Sequence, residues 1–165
     1  MPDTLTTSER SERMSRIGGK NSKAELVVRK LAHRLGFRFR LHRRDLHGTP
    51  DLVFPRLGSV IFVHGCFWHR HPDPACPLAR LPKSRLDFWG PKLDGNRARD
   101  LRNQADLAKA GWRVLVVWEC ELSRKDQLRT TIRTFLEGGR ERSNSSREPA
   151  ASASASDNPV SSPSK

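Results

Sequence analysis

The sequence predicts an α/β sandwich, a small mixed β-sheet covered by helices. Three observations predict it. Residues 60–63 and 114–118 are short and wholly apolar, as expected of strands buried on both faces. Segments with helical spacing of apolar residues lie on either side of them. The chain has 165 residues, enough for one domain whose core needs no disulfide or metal merely to exist.

Residues 8–17 are charged and Arg-rich, with Met14 and Ile17 their only large apolar side chains. Such a segment cannot anchor in a core, so residues 1–20 are expected to form a basic arm. Ser22, with Glu25 three positions on, makes a capping box. Ala24, Val27, Val28, Leu31 and Leu35 then keep helical spacing up to Gly36. Phe37, Phe39 and Leu41 alternate with arginines and predict a half-buried strand.

Gly48-Thr49-Pro50 is a turn leading into a strand over residues 51–54, and a second turn leads into Ser59–His64. Residues 65–91 contain prolines at 72, 74, 77, 82 and 91 and read as one long loop, a feature that is usually functional in a compact domain. Asn96 is placed to cap a helix reaching Ala110, with Gly111 ending it. A strand over 112–118 follows. A helix over 126–137, carrying Leu128, Ile132, Phe135 and Leu136, stops at Gly138-Gly139. The folded domain is thus expected to span residues 21–137. Residues 138–165 are expected to be a disordered tail, because a stretch of Ser, Ala and Pro cannot bury enough apolar surface to offset its ordering entropy.

The net charge is +13, of which the tail contributes +1. A domain carrying +12 has a polyanion as its natural partner, and nucleic acid is the commonest. No apolar run approaches the length of a membrane span, and no secretory leader pattern is present, which predicts a cytoplasmic protein. Three cysteines cannot form a fully paired disulfide framework; in a reducing compartment, cysteines beside histidines suggest a metal.

His64, His69 and His71 crowd into one segment with Cys66, and Cys76 follows in the same loop. If the strands ending at His64 and Trp118 run parallel, Cys120 approaches Cys66, His71 and Cys76. Thiolates with one imidazole make a closed tetrahedral zinc site of the structural kind. His64 and His69 remain over, flanking Phe67-Trp68. Aromatic side chains in a basic loop can stack on bases or wedge between them, and Trp89 is placed to join. Asp51 at a strand start, beside backbone carbonyls of the next strand, can hold a magnesium ion, although a turn-capping aspartate would look the same. Magnesium there would act on a phosphodiester as a Lewis acid, and a nearby histidine would serve as general base. A base deaminase is excluded, because its H-x-E and P-C-x-x-C signatures are missing.

Gly48-Thr-Pro-Asp51, the block from Val60 through His64-Gly-Cys-Phe-Trp-His69, Phe88-Trp89, Lys92, Asn96 to Asp100, and Gly111 to Cys120 together resemble the very-short-patch-repair (Vsr) DNA mismatch endonucleases. The resemblance covers about residues 8–137 in order. It implies a restriction-endonuclease-like fold stabilised by zinc, and nicking of one strand beside the thymine of a T·G mismatch left by 5-methylcytosine deamination. Asp51 would be the main magnesium ligand, helped by the main-chain carbonyl of Val63, where the family pattern has threonine. His69 would activate the attacking water, and His64 would support the phosphate or the metal-bound water. Glu25 and Asp100 would orient the hydrated magnesium. Cys66, His71, Cys76 and Cys120 would hold zinc, with Asp73 the alternative to Cys76 because the His71-to-Cys76 gap is longer than the family's. Phe67, Trp68 and Trp89 would enter the duplex from the major groove, with Met14 approaching from the minor groove. Double-stranded DNA, other mismatch-repair proteins, a monomeric state and a place on DNA in the bacterial cytoplasm follow as expectations. The alternative is a zinc-stabilised DNA-binding module without catalysis, which leaves Asp51, His64 and His69 unexplained together.

Overall fold

The computed structural model of the chain describes Thr6, Ser8 and residues 21–145. Met14, with nearly all of the expected arm, and residues 146–165 of the expected tail lie outside the described residues. In chain order the elements are α1 (Lys23–Arg34), β1 (Arg40–Leu41), β2 (Leu52–Phe54), β3 (Ser59–His64), α2 (Leu86–Lys109), β4 (Arg113–Trp118) and α3 (Lys125–Ser145). The sheet order is β1-β2-β3-β4. The first three strands are antiparallel neighbours, and β3 and β4 are parallel. The sheet is therefore mixed, as the sequence predicts.

Both faces of the sheet are covered, which is why its central strands are apolar throughout. On one face Leu52, Phe54, Ile61 and Val117 pack with Val28 and Ala32 of α1 and with Leu128, Ile132 and Leu136 of α3. On the other, Val53, Val60 and Phe62 pack with Leu107 of α2. Because side chains alternate along a strand, Asp51 and His64 fall on the second face, two positions from Val53 and from Phe62 respectively. That is the face α2 covers.

α1 is capped as expected: the Glu25 N–H donates to Ser22 Oγ at 3.2 Å, and the Glu25 carboxylate takes the Asn21 N–H at 2.8 Å. Three expectations need correction. The strand predicted through Phe37, Phe39 and Leu41 is paired only at Arg40–Leu41; Phe37 is instead core, its ring edge-on to Phe54. α2 begins at Leu86, ten residues before Asn96, with Pro91 inside it. Proline there forfeits a hydrogen bond, but Leu93 is fully buried and Trp89 contacts the Phe67-Trp68 rings, so tertiary anchors outweigh propensity.

The third correction concerns Gly138-Gly139, which does not stop α3; the helix continues to Ser145. A Cβ at Gly139 would lie 2.9 Å from Ser59 Oγ and 3.0 Å from the Leu57 carbonyl oxygen, so the glycine lets the helix approach the β2–β3 turn closely. The atoms nearest a Cβ at Gly138 all belong to the guanidinium tip of Arg113, the far end of a long side chain that can shift. Gly138→Ala is therefore expected to be neutral or stabilising, since alanine favours a helix by roughly 1 kcal/mol. Gly139→Ala is expected to lower stability, because overpacking costs about 1–3 kcal/mol and offsets that gain. Thermal unfolding of the two variants checks the contrast.

Candidate active site and metal centre

The parallel register pairs His64 with Trp118. Cys66 and Cys120 each follow that pair by two residues, and this equal offset brings them together. The ligand atoms of Cys66, His71, Cys76 and Cys120 all lie within 4.8 Å of one another. Cys120 Sγ stands 3.5 Å from His71 Nε2, close to the edge of a tetrahedron whose bonds are roughly 2.0 and 2.3 Å. Burial pushes the Cys66 thiol up to about 12 and raises that of Cys120. Desolvated thiols of this kind become thiolates when a cation neutralises them, and three of them with one imidazole are zinc's donor set. The residues fit the ion. Asp73 is not in the group: its carboxylate accepts the Ala75 N–H at 2.9 Å, and its own amide lies 3.0 Å from His71 Nδ1.

A second group opens onto the cavity at the carboxyl end of β3. That cavity, of about 240 Å³, is lined by His42, Asp51, Val63, His64, His69 and Asp100 among others. Clefts outside the carboxyl ends of parallel strands are the usual ligand sites of such sheets. The Val63 N–H donates to Asp51 Oδ2 at 2.7 Å. Burial is the main reason the Asp51 carboxyl is raised to about 6; the Val63 hydrogen bond works against it, and nearby Glu25 adds to it. A buried carboxylate with one oxygen turned to a cavity is well suited to a divalent cation, which removes that penalty.

His69 Nδ1 is 2.6 Å from Asp100 Oδ2, a pair linking the loop to α2. The rings of His64 and His69 stack at 3.9 Å with only 7° between their planes. His64 is buried, and desolvation is the main reason it is lowered to about 4, with His69 adding to the shift. It is therefore a neutral imidazole at ordinary pH. Trp118 stands between the two centres, with its ring centroid 5.2 Å from that of His64 and 4.7 Å from that of His71. Cys66 and His71 thus belong to one centre, and His64 and His69 to the other.

Phe67, Trp68 and Trp89 meet edge to face with centroids 5.1–6.0 Å apart. Phe88 joins through Trp89 and is 44% exposed, so this group is not a sealed satellite core. The Lys92 ammonium sits 5.2–6.0 Å from the Trp68, Phe88 and Trp89 ring centroids, within cation–π range. The loop is fastened to α2 beside it: Asn96 Nδ2 donates to the Trp68 carbonyl at 3.1 Å, and Arg70 pairs with Asp94 at 2.5 Å.

Sequence reasoning missed His42. Its Nε2 lies 2.9 Å from Glu25 Oε1, and its Nδ1 lies 4.0 Å from Asp51 Oδ1. It also missed Arg29, which pairs with Glu25 Oε1. Arg29 was discoverable as the i+4 partner of Glu25; a single histidine after a two-residue strand carries no such signal. Among the described residues no helix is long and apolar enough to cross a membrane.

Comparison with known proteins bears on what these centres serve. Residues 2–74 match the family model described as DNA mismatch endonuclease Vsr. The chain is 53% identical over 137 residues to the type II nicking enzyme V.XorIIP of Xanthomonas oryzae pv. oryzae, which takes in 83% of this chain and 98% of that protein. It is 44% identical over 125 residues to the type II nicking enzyme V.NmeAIP of Neisseria meningitidis, covering 76% and 87% respectively. It is 38% identical over 128 residues to the DNA mismatch endonuclease Vsr of Escherichia coli, covering 78% and 80%. These relatives are nucleases by name, which removes the alternative of a binding module without catalysis. The chain belongs to the Vsr family of DNA mismatch endonucleases, and it is a nuclease.

Proposed function

We propose that this chain nicks one strand of duplex DNA beside the thymine of a T·G mismatch, the product of 5-methylcytosine deamination, as the first step of very short patch repair. The observation that carries the reading is the cavity onto which Asp51, His64, His69 and Asp100 open, with His69 next in sequence to the half-buried Phe67-Trp68 pair. The names of the relatives, which speak of nicking and of mismatches, support both halves of the reading.

In this reading Asp51 holds magnesium with the main-chain carbonyl of Val63, and Glu25 supports the site. Bound there, magnesium would supply Lewis-acid chemistry toward the scissile phosphate. Asp100 accepts a hydrogen bond from His69 Nδ1–H, which keeps the proton on Nδ1 and leaves the Nε2 lone pair free to take a proton from the attacking water. His64 stays neutral against the same ring, so the positive charge that grows on His69 meets no second imidazolium at stacking distance. Phe67, Trp68 and Trp89 wedge into the base stack from the major groove, and Met14 approaches from the minor groove. Unstacking costs a few kcal/mol and is cheapest at a mispaired step, which makes it a source of selectivity.

Zinc at Cys66, His71, Cys76 and Cys120 holds the loop within a restriction-endonuclease-like domain. A basic arm before residue 21, a monomeric state, a cytoplasmic location on bacterial DNA, and contacts with other mismatch-repair proteins complete the proposal. Nicking of matched and T·G duplexes, with and without magnesium, tests it. Magnesium-dependent nicking confined to the T·G duplex is expected; equal cleavage of both duplexes would overturn the substrate.

A further inference from the structure

His42 lines the same cavity as Asp51, and each has one polar atom engaged elsewhere, Nε2 with Glu25 and Oδ2 with the Val63 N–H. A neutral imidazole has one N–H and one lone pair. The short contact of His42 Nε2 with Glu25 Oε1, at 2.9 Å, is a charge-assisted bond that claims the proton. Arg29 Nη2 also lies 3.1 Å from Nε2, but its partner is Glu25 Oε1 itself, with which it forms an ion pair. The guanidinium and the imidazole N–H thus share one carboxylate oxygen, Glu25 Oε1. Glu25 Oε2 takes the Asn21 N–H. Both oxygens of Glu25 are thus engaged, and the residue has little left to offer a cation directly.

The Nδ1 lone pair of His42 then faces Asp51 Oδ1 at 4.0 Å. Two acceptors gain nothing by facing one another at a distance too long for a hydrogen bond. The spacing does suit two ligands of one ion: at bond lengths of about 2.1 Å, octahedral neighbours stand roughly 3.0 Å apart and opposite ligands roughly 4.2 Å. Asp51 Oδ2 is held by the Val63 N–H, leaving Oδ1 for the cation. Of the other polar side chains that line the cavity with Thr49, three, His64, His69 and Asp100, are tied to one another by stacking and by the His69–Asp100 bond. Glu25, His42 and Asp51 can each bring one ligand atom within 4.8 Å of the others. A carboxylate that orients an imidazole which in turn binds metal is a recurring arrangement that raises ligand basicity.

We propose that His42, oriented by Glu25, is a direct nitrogen ligand of the divalent cation at Asp51, and that the centre therefore prefers a nitrogen-accepting ion such as Mn²⁺ over Mg²⁺. The inference rests on the assignment of Asp51 as metal ligand. Imidazole does little for Mg²⁺, whereas affinity for mixed nitrogen and oxygen sites rises along the transition series from Mn²⁺. Glu25 then acts on the metal through His42.

The test uses the zinc-loaded full chain with Mn²⁺ as probe, read by electron spin-echo modulation from a coordinated ¹⁴N and by Mn²⁺ titration. His42→Asn suits the backbone there, since φ is +47° and Asn tolerates the left-handed region. The variant is expected to lose the ¹⁴N modulation and to bind Mn²⁺ about tenfold more weakly, with Mg²⁺ affinity changed by less than about twofold. A ¹⁴N signal that persists in folded His42→Asn overturns the proposal. If that variant does not fold, His64→Ala and His69→Ala decide it: loss of the signal in either one overturns it, and retention in both, with loss on ¹⁵N-histidine labelling, supports it. Asp51→Asn separates the two levels. Mn²⁺ bound equally well by wild type and Asp51→Asn would sink the Asp51 centre itself; Asp51-dependent binding with no nitrogen signal would sink only the role of His42.

Discussion

His69→Ala is expected to slow nicking of a T·G duplex by about 10²–10⁴-fold, the usual contribution of a positioned general base, while affinity for the same duplex holds. The separation follows from geometry. His69 faces the cavity that holds Asp51, and its Nδ1 is occupied by Asp100 at 2.6 Å. The groups proposed to grip DNA, Phe67, Trp68 and Trp89, contact one another and Lys92, and no ring contact joins His69 to them. Single-turnover nicking and a binding titration with magnesium withheld measure the two quantities separately. A parallel fall in affinity would contradict the role of base.

Asp100 sharpens the same expectation. An asparagine there can present its amide N–H to Nδ1 and drive the imidazole proton onto Nε2, the wrong tautomer for a base. Asp100→Asn is therefore expected to be at least as damaging as Asp100→Ala, where water can replace the carboxylate. The order would reverse if Asp100 served only to carry negative charge near the metal. Neither variant should disturb the sheet, because Asp100 is half-buried at the rim of α2 and outside both apolar clusters.

How much of this was legible in the sequence depended on whether the deciding interaction was local. Ser22 and Glu25 announce the start of α1 because a capping box is written in adjacent residues. β3 and β4 announce themselves because each carries an unbroken apolar run, and their parallel pairing makes the Cys66–Cys120 approach a matter of counting. The start of α2 was hidden: Gly90, Pro91 and Gly95 lower its propensity, and the contacts of Trp89 and Leu93 that outweigh them come from distant parts of the chain. Gly139 was misread for a related reason. A glycine that ends a helix and one that admits a neighbour look alike until the neighbour, here Ser59 and Leu57, is known. His42 was invisible because its meaning lies in Glu25 and Asp51, 17 and 9 positions away, which meet only when α1, β1 and β2 are assembled.

Loss of the proposed zinc ligands is expected to have the other large effect, and to separate folding of the loop from folding of the sheet. Between them the two apolar clusters draw on α1, α2, α3 and the strands, with no contribution from residues 66–80. The loop's own anchors are few: Cys66 and Cys76 are its buried residues, and Leu78 is 46% exposed. Cys66→Ala and Cys76→Ala should therefore abolish zinc binding and loosen the loop, with the sheet retained. Asp73→Ala should keep one zinc per chain, because Asp73 serves the turn and lies outside the ligand group. Nicking should fall by more than about 10²-fold in the cysteine variants, since the loop carries both His69 and the Phe67-Trp68 pair, and small displacements of a positioned group cost that much. Metal analysis gives the zinc content, and hydrogen exchange shows where protection is lost. Full zinc in Cys76→Ala with none in Asp73→Ala would transfer the fourth ligand to Asp73. Loss of protection across β3 and β4, beyond the loop, would mean that the sheet itself depends on the metal.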